Sequence, residues 1–354
     1  MKKTVVIIVV ILCIIAIGVC SAILYNRMKN DPTFLGTDVV NNAEENSNTI
    51  VAQMPEVQIF KGNDRPIAVM IDNNIDAQPQ AGLNDAYMVY EIIVEGGESR
   101  IMALFKGVSL DKIGPVRSSR HYFLDYALEN DAIYVHYGWS PQAQSDISSL
   151  GVNNINGISE TTKEFWRVKD KRSPHNVATS TEKILEIANK KGYRTTSSKD
   201  SVLNYTTDEV NLENGQIAED ITIPYSASNK VEWIYNSETK RYTRYSKGDK
   251  QTDWTTGKDI TAKNIIVEFI ANSTLNDGEN KGRQTMNTVG SKDGYYITNG
   301  KAIKITCEKT TRSAQTVYKD ENGNEIDVND GNTFVQICPI NADVAIEPLM
   351  QEES

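Results

Sequence analysis

The sequence predicts an α+β protein, with an N-terminal α/β domain on a mixed sheet followed by a mostly antiparallel β domain. Three observations carry that expectation. Between residues 60 and 195, short apolar runs interleave with segments of helical periodicity. Beyond residue 220 the chain turns to short runs of β-branched and aromatic residues. These are punctuated by Asn299-Gly300, Asn322-Gly323 and Asp330-Gly331, dipeptides that favour hairpin turns. Finally, 354 residues exceed the usual size of one domain. The division that follows is a membrane anchor or signal segment at 1–29, a flexible linker at 30–58, the α/β domain at 59–200 and the β-rich domain at 215–345. The composition shift between the last two predicts that each folds alone.

The elements follow in order. Lys2 and Lys3 precede an uncharged stretch over residues 5–24. At 1.5 Å per residue it spans about 30 Å, the thickness of a bilayer core. This reads as an anchor with its basic end inside and the bulk of the chain outside the cytoplasm. Its rival is a lipoprotein signal, because "IGVC" puts Cys20 near the place of a lipidated cysteine, although Val19 is bulky there. The polar, Asn-rich stretch from Asn30 to Gln58 is a spacer. "RPIAVMID" (65–72), "DAYMVYEIIVE" (85–95) and "RIMALFKG" (100–107) are strands, and Gly96-Gly97 turns the last two into a hairpin. A helix is expected over 117–131, a strand over 132–138, and helices opened by Ser140-Pro141 and by Ser180.

Composition narrows the function classes. A net charge of −10 argues against nucleic acid as the partner, since such domains carry a basic imprint. The sequence lacks GxSxG, GxGxxG and GxxxxGK[ST], and its cysteines and three histidines show no zinc spacing. No metal and no cofactor are therefore expected. Cys307 and Cys338 lie in strand-like runs; outside the cytoplasm they could form a disulfide or remain buried thiols.

The polar residues of "IGPVRSSRHYFLDYALENDAIYVHYGWSP" (113–141) stand out in a segment otherwise fit for burial. Were the helix to start near Ser118, Arg117 and Arg120 would sit at its N-terminus. Two cations there make sense only with an anion between them, from a ligand or from a protein carboxylate such as Glu95 or Asp125. On the strand before Gly96, Glu91 and Glu95 share a face but stand about 13 Å apart, too far for a glycosidase pair. Glu95 has two readings, a lone general acid beside two glycines or a structural partner of Arg100, Arg117 or Arg120. His136 on a strand, and Arg172, His175 and Asn176 in a loop, complete the candidate set. The ligand-binding residues expected are thus Arg100, Arg117, Ser118, Arg120, His136, Arg172, His175 and Asn176, with Glu95 as the candidate catalyst.

"RPIAVMIDN", "QPQAGLNDAYMVYEIIVEGGESRIMALF", "IGPVRSSR", "YVHYG" and "SPHN", with the C-terminal stretch from "WIYNSETKRYTRY" to "DVNDGNTFVQICP", resemble the YerB-like membrane-anchored lipoproteins of Gram-positive bacteria. The resemblance covers residues 60–340 and implies a two-domain protein of the cell surface, without assigning a reaction or ligand. Outside such a membrane the accessible ligands are peptidoglycan and anionic polymers. The sequence expectation is therefore binding of an anionic envelope polymer or cell-wall glycan in an Arg/His/Glu cleft. The alternative is a glycan-cleaving enzyme using Glu95, and a buried structural network is the third reading. Nothing in the sequence names a protein partner.

Overall fold

The computed structural model describes residues 55–350; the predicted anchor over 5–24 and the spacer up to Met54 lie outside the described residues. The N-terminal half supplies strands β1 (Ile67–Asp72), β2 (Met88–Ile93) and β3 (Ser99–Phe105), helix α1 (Phe123–Glu129), β4 (Ile133–His136), α2 (Pro141–Ser149), β5 (Asn154–Asn156) and α3 (Thr181–Lys190). The C-terminal half supplies β6 (Asp220–Ser226), β7 (Asn229–Asn236), β8 (Arg241–Ser246), β9 (Asn264–Ile270), β10 (Gly290–Thr298), β11 (Lys301–Lys309), β12 (Val317–Lys319), β13 (Thr333–Pro339) and β14 (Ala345–Glu347). Helices are few, and the predicted α+β class holds.

One long mixed sheet runs through both halves in the order β12-β11-β10-β9-β13-β2-β3-β1-β4-β5. Its joint is the parallel pairing of β2 with β13, in register from Met88↔Thr333 to Ile92↔Ile337. The β1–β4 and β4–β5 pairs are also parallel, whereas β2–β3 and β1–β3 are antiparallel. Strands β6, β7, β8 and β14 build a second, antiparallel sheet. A composition shift does not report this joint, because β13 lies between β2 from one half and β9 from the other.

Both faces of the long sheet are covered at β1 and β2, which explains their near-continuous apolar runs. Ile67, Val69, Ile71, Val89 and Val267 face one core, closed by Ile221, Ile223 and Trp233 of the second sheet and by Ile184 and Ile187 of α3. Met70, Tyr90, Met102, Tyr134 and Val335 face the other, closed by Phe123 and Tyr126 of α1. Cys338 belongs to the first core and Cys307 to the second. The two are free, buried thiols on opposite faces of the sheet, which rules out the disulfide. Burial raises both thiols, Cys338 to about 12.

The caps of the second and third helices follow the sequence reading. Ser140 Oγ accepts from the Ala143 amide with Pro141 at the first position, and Ser180 Oγ accepts from the Lys183 amide. The first helix differs. It begins at Phe123 rather than near Arg117, and neither Ser118 nor Ser119 caps it. The amides of the preceding segment are already spent on strands, Arg117 N–H donating to Met70 O (2.8 Å) and Ser119 N–H to Gly138 O (2.9 Å). Residues 113–119 are therefore an extended wedge across the ends of β1 and β4, bridged at Ile71↔Val116 and Ser119↔Trp139.

Candidate functional site

The wedge decides where the predicted residues go. Its arginines do not sit at a helix N-terminus; they approach the C-terminal end of β1 and the β2–β3 turn. There Asp72 closes β1 opposite Arg100 of β3. The turn itself is Glu95–Gly97, with Gly96 and Gly97 at φ 71° and 73°. A Cβ on Gly97 would lie 2.8 Å from Ser226 Oγ, so glycine lets the second sheet close against the hairpin.

Around this point lies a cavity of ≈ 140 Å³, lined by Asp72, Asn74, Glu95, Arg100, Arg117 and His175 among others. Glu95 is gripped by two guanidiniums. Arg120 Nε donates to Oε2 at 2.9 Å while its Nη2 donates to Oε1, and Arg100 Nη2 stands 3.6 Å from Oε1. Burial alone would raise the Glu95 carboxyl, but the Arg120 hydrogen bond and the two guanidinium charges outweigh it and hold it at about 2. Arg100 in turn is pushed down to about 10 by burial and by Arg120, against the pull of Glu95. Ser118 ties the pair together, its Oγ accepting from Arg100 Nη1 (3.3 Å) and Arg120 Nη1 (3.2 Å).

The other carboxylate, Asp72, receives His175 Nδ1 at 2.7 Å and lies 3.2 Å from Arg117 Nε. That second contact is an ion pair without hydrogen-bond alignment, which leaves the buried Nε unpartnered. Arg117 Nη1 reaches only Pro174 O, at 3.4 Å. Glu98, also on the rim, is neutralised by Lys247 at 2.8 Å. The core of the cleft thus sets three guanidiniums against two carboxylates, 3 − 2 = +1 in formal charge for those five side chains.

Not every predicted residue reaches it. His136 is fully buried, with Nδ1 2.8 Å from Gly138 O and Nε2 3.3 Å from Asn154 Oδ1, and burial lowers it to about 4. Arg172 is exposed, and only its carbonyl takes part, accepting from the His175 amide at 2.8 Å. Asn176 is occupied by Arg167 (2.7 Å) and Val168 O (3.1 Å). Asp125 pairs with Arg312 rather than with the wedge, and Glu91 pairs with Arg244, which no local pattern connects to it. Sequence reasoning passed over Asp72, although an acid closing an apolar strand next to Asn73 and Asn74 was a signal in view. Among the described residues no group of His, Cys, Asp and Glu is arranged to hold a metal.

The comparisons with known proteins follow the same chain. Residues 53–194 match the model of the "Protein of unknown function (DUF3048) N-terminal domain", and residues 221–335 match its C-terminal domain. A Bacillus subtilis protein named "Putative lipoprotein YerB" is 32% identical over 286 residues, covering 78% of this chain and 81% of its own. The chain belongs to the YerB family. The crystal structure of the Bacillus subtilis YerB protein superposes with a TM-score of 0.71 at 28% identity, over 80% of this chain and 94% of that one. The two family regions fall on the N-terminal and C-terminal halves described above. Among the described residues no helix is long and apolar enough to cross a membrane.

Proposed function

We propose that this YerB-family protein is held at the outer face of the cell membrane by its first thirty residues and binds an anionic group of an envelope polymer in the cleft at the end of β1. The name of the Bacillus relative and the apolar stretch at 5–24 support the location. The observation that carries the ligand class is Arg117, a guanidinium lining the cavity with its Nε unpartnered and one Nη bonded only at 3.4 Å. An anion entering beside the partly exposed guanidinium would bond its Nη groups and balance the excess charge.

Size limits what enters. Ligand pockets for whole small molecules run to about 300–1,000 Å³, so ≈ 140 Å³ admits a carboxylate or phosphate group rather than a sugar chain. The enzymatic alternative is weakened at Glu95, since a general acid must carry a proton and this carboxyl is held at about 2. The test is retention of the full chain, in detergent, on immobilised teichoic acid and on peptidoglycan. Arg117→Ala should weaken retention by about 10-fold or more, and retention by the parent should fall with salt. Glu95→Gln should leave it intact. Equal retention by Arg117→Ala would remove the cleft from the binding surface, and fragments released by the parent but not by Glu95→Gln would replace the reading with the enzyme.

A further inference from the structure

A larger recess lies on the C-terminal half of the long sheet, away from every residue of the cleft. The second sheet covers that face over Ile265, Val267, Ile297 and Phe334 but leaves its far end bare. In the bare stretch, Tyr295 of β10 is paired with Lys304 of β11, and Asp293 with Thr306. Strand alternation puts all four on the uncovered face, beside Phe269 of β9. The ring of Phe269 meets that of Tyr295 edge to face, 6.0 Å between centroids. Ile340 and Ala342, after β13, and Glu321 complete the walls of a cavity of ≈ 540 Å³, within the range that holds a whole ligand.

Its polar groups are idle. The neighbouring charges are spent inside the fold, Lys292 on Glu268 and Glu308 on Lys319. Asp293, Lys304 and Glu321, by contrast, take part in none of the ion pairs or side-chain hydrogen bonds found among the described residues. Two half-buried aromatic rings flanked by free carboxylates, an amine and a hydroxyl suit a ligand with apolar C–H faces and hydroxyl-rich edges. A polyanion does not suit it, because the rim carries two negative charges and one positive. An extended peptide would find free backbone only over short segments, Gly290–Asp293 of β10 and Ile303–Ile305 of β11, too little for an added strand.

We infer that this recess is a carbohydrate-binding site for a short oligosaccharide of neutral, acylated sugars. A sugar ring lies against Tyr295 and Phe269. Asp293, Glu321 and Lys304 bond its hydroxyls, and the acyl methyl packs on Ile340 and Ala342. The anion cleft plays no part in it.

The experiment is calorimetric titration of the full chain in detergent with N,N′,N″-triacetylchitotriose. Saturable binding is expected, weakened about 10-fold or more by Tyr295→Ala, the loss of one stacked ring and its bonds. Because Tyr295 also packs in the fold, the exposed pair Asp293→Asn and Lys304→Gln is measured beside it, with thermal unfolding as the control. Both variants should keep the parent's melting temperature and still lose affinity. Arg117→Ala should bind the trisaccharide as the parent does. No saturable binding at millimolar sugar, or binding that Asp293→Asn and Lys304→Gln leave unchanged, overturns the assignment.

Discussion

The ion pair between Glu91 and Arg244 offers the sharpest test of how the two halves are held together. Both side chains are fully buried, and Arg244 Nη2 donates to Glu91 Oε2 at 2.9 Å. The other carboxylate oxygen accepts from Asn73 Nδ2 (2.9 Å) and Ser99 Oγ (2.7 Å). Replacing Arg244 by Met leaves a buried carboxylate with its neutral donors but no countercharge, a loss of about 3–5 kcal/mol. Glu91→Gln strands the guanidinium instead, and Arg244 Nε and Nη1 already lack partners, so the cost is of the same order. The double variant removes both charges together. Its loss should fall short of the sum of the singles by about 2 kcal/mol or more. Urea unfolding followed by circular dichroism measures all four proteins. Additivity within about 0.5 kcal/mol would refute the pair as a coupled, buried interaction.

Two further outcomes follow from the fold. Burial lowers both His121 and His136 from 6.5 to about 4. The unfolded chain therefore takes up protons first as pH falls, and stability present above pH 6.5 is lost toward pH 4, by about 3 kcal/mol for each histidine. Glu95, lowered from 4.5 to about 2, adds a loss between those values. Melting temperatures at pH 7, 5.5 and 4.5 check this, and a flat profile would contradict it. Second, residues 55–200 and 205–350 expressed apart should each fail to unfold cooperatively, because separation strips β2 of its partner β13, leaves β13 a bare edge and splits Glu91 from Arg244. Cooperative transitions in both halves would show that the shared sheet is dispensable.

Much of the local structure was legible in the sequence. β1, β2 and β3 announced themselves as apolar runs, the hairpin by its two glycines, the second helix by Ser140-Pro141 and the third by Ser180. What failed to show was whatever depends on distant partners. The amides of Arg117 and Ser119 look free to start a helix until Met70 and Gly138 are brought beside them. Glu91 finds its countercharge 153 residues away, and Asp72 finds His175 at 103. Glu95 was read either as an acid or as a partner of the arginines, and the choice needed the bidentate geometry that only the folded turn supplies. His136 fell outside the cleft for a related reason. Alternation fixed which face of β4 it occupies, but not that Gly138 and Asn154 would satisfy both its nitrogens.

The charge count of the cleft bears on which anion the proposed binding would favour. Glu95 and Asp72 already occupy two of three guanidiniums' worth of charge, so one negative charge brings the cleft to neutrality. A dianion would leave an excess charge in a partly dehydrated recess, where such an excess is costly. It could be accommodated only by displacing Glu95 from Arg120, and the bidentate grip opposes that. Arg117 is the open position, since its tie to Asp72 is misaligned and His175 already serves the same oxygen. For the proposed binding, the count of arginines against carboxylates therefore favours a singly charged group, a phosphodiester or a lone carboxylate, over a phosphomonoester. A phosphodiester is the charge form of a polymer backbone, and under the proposed binding a small mouth around one such group would read the chain one link at a time.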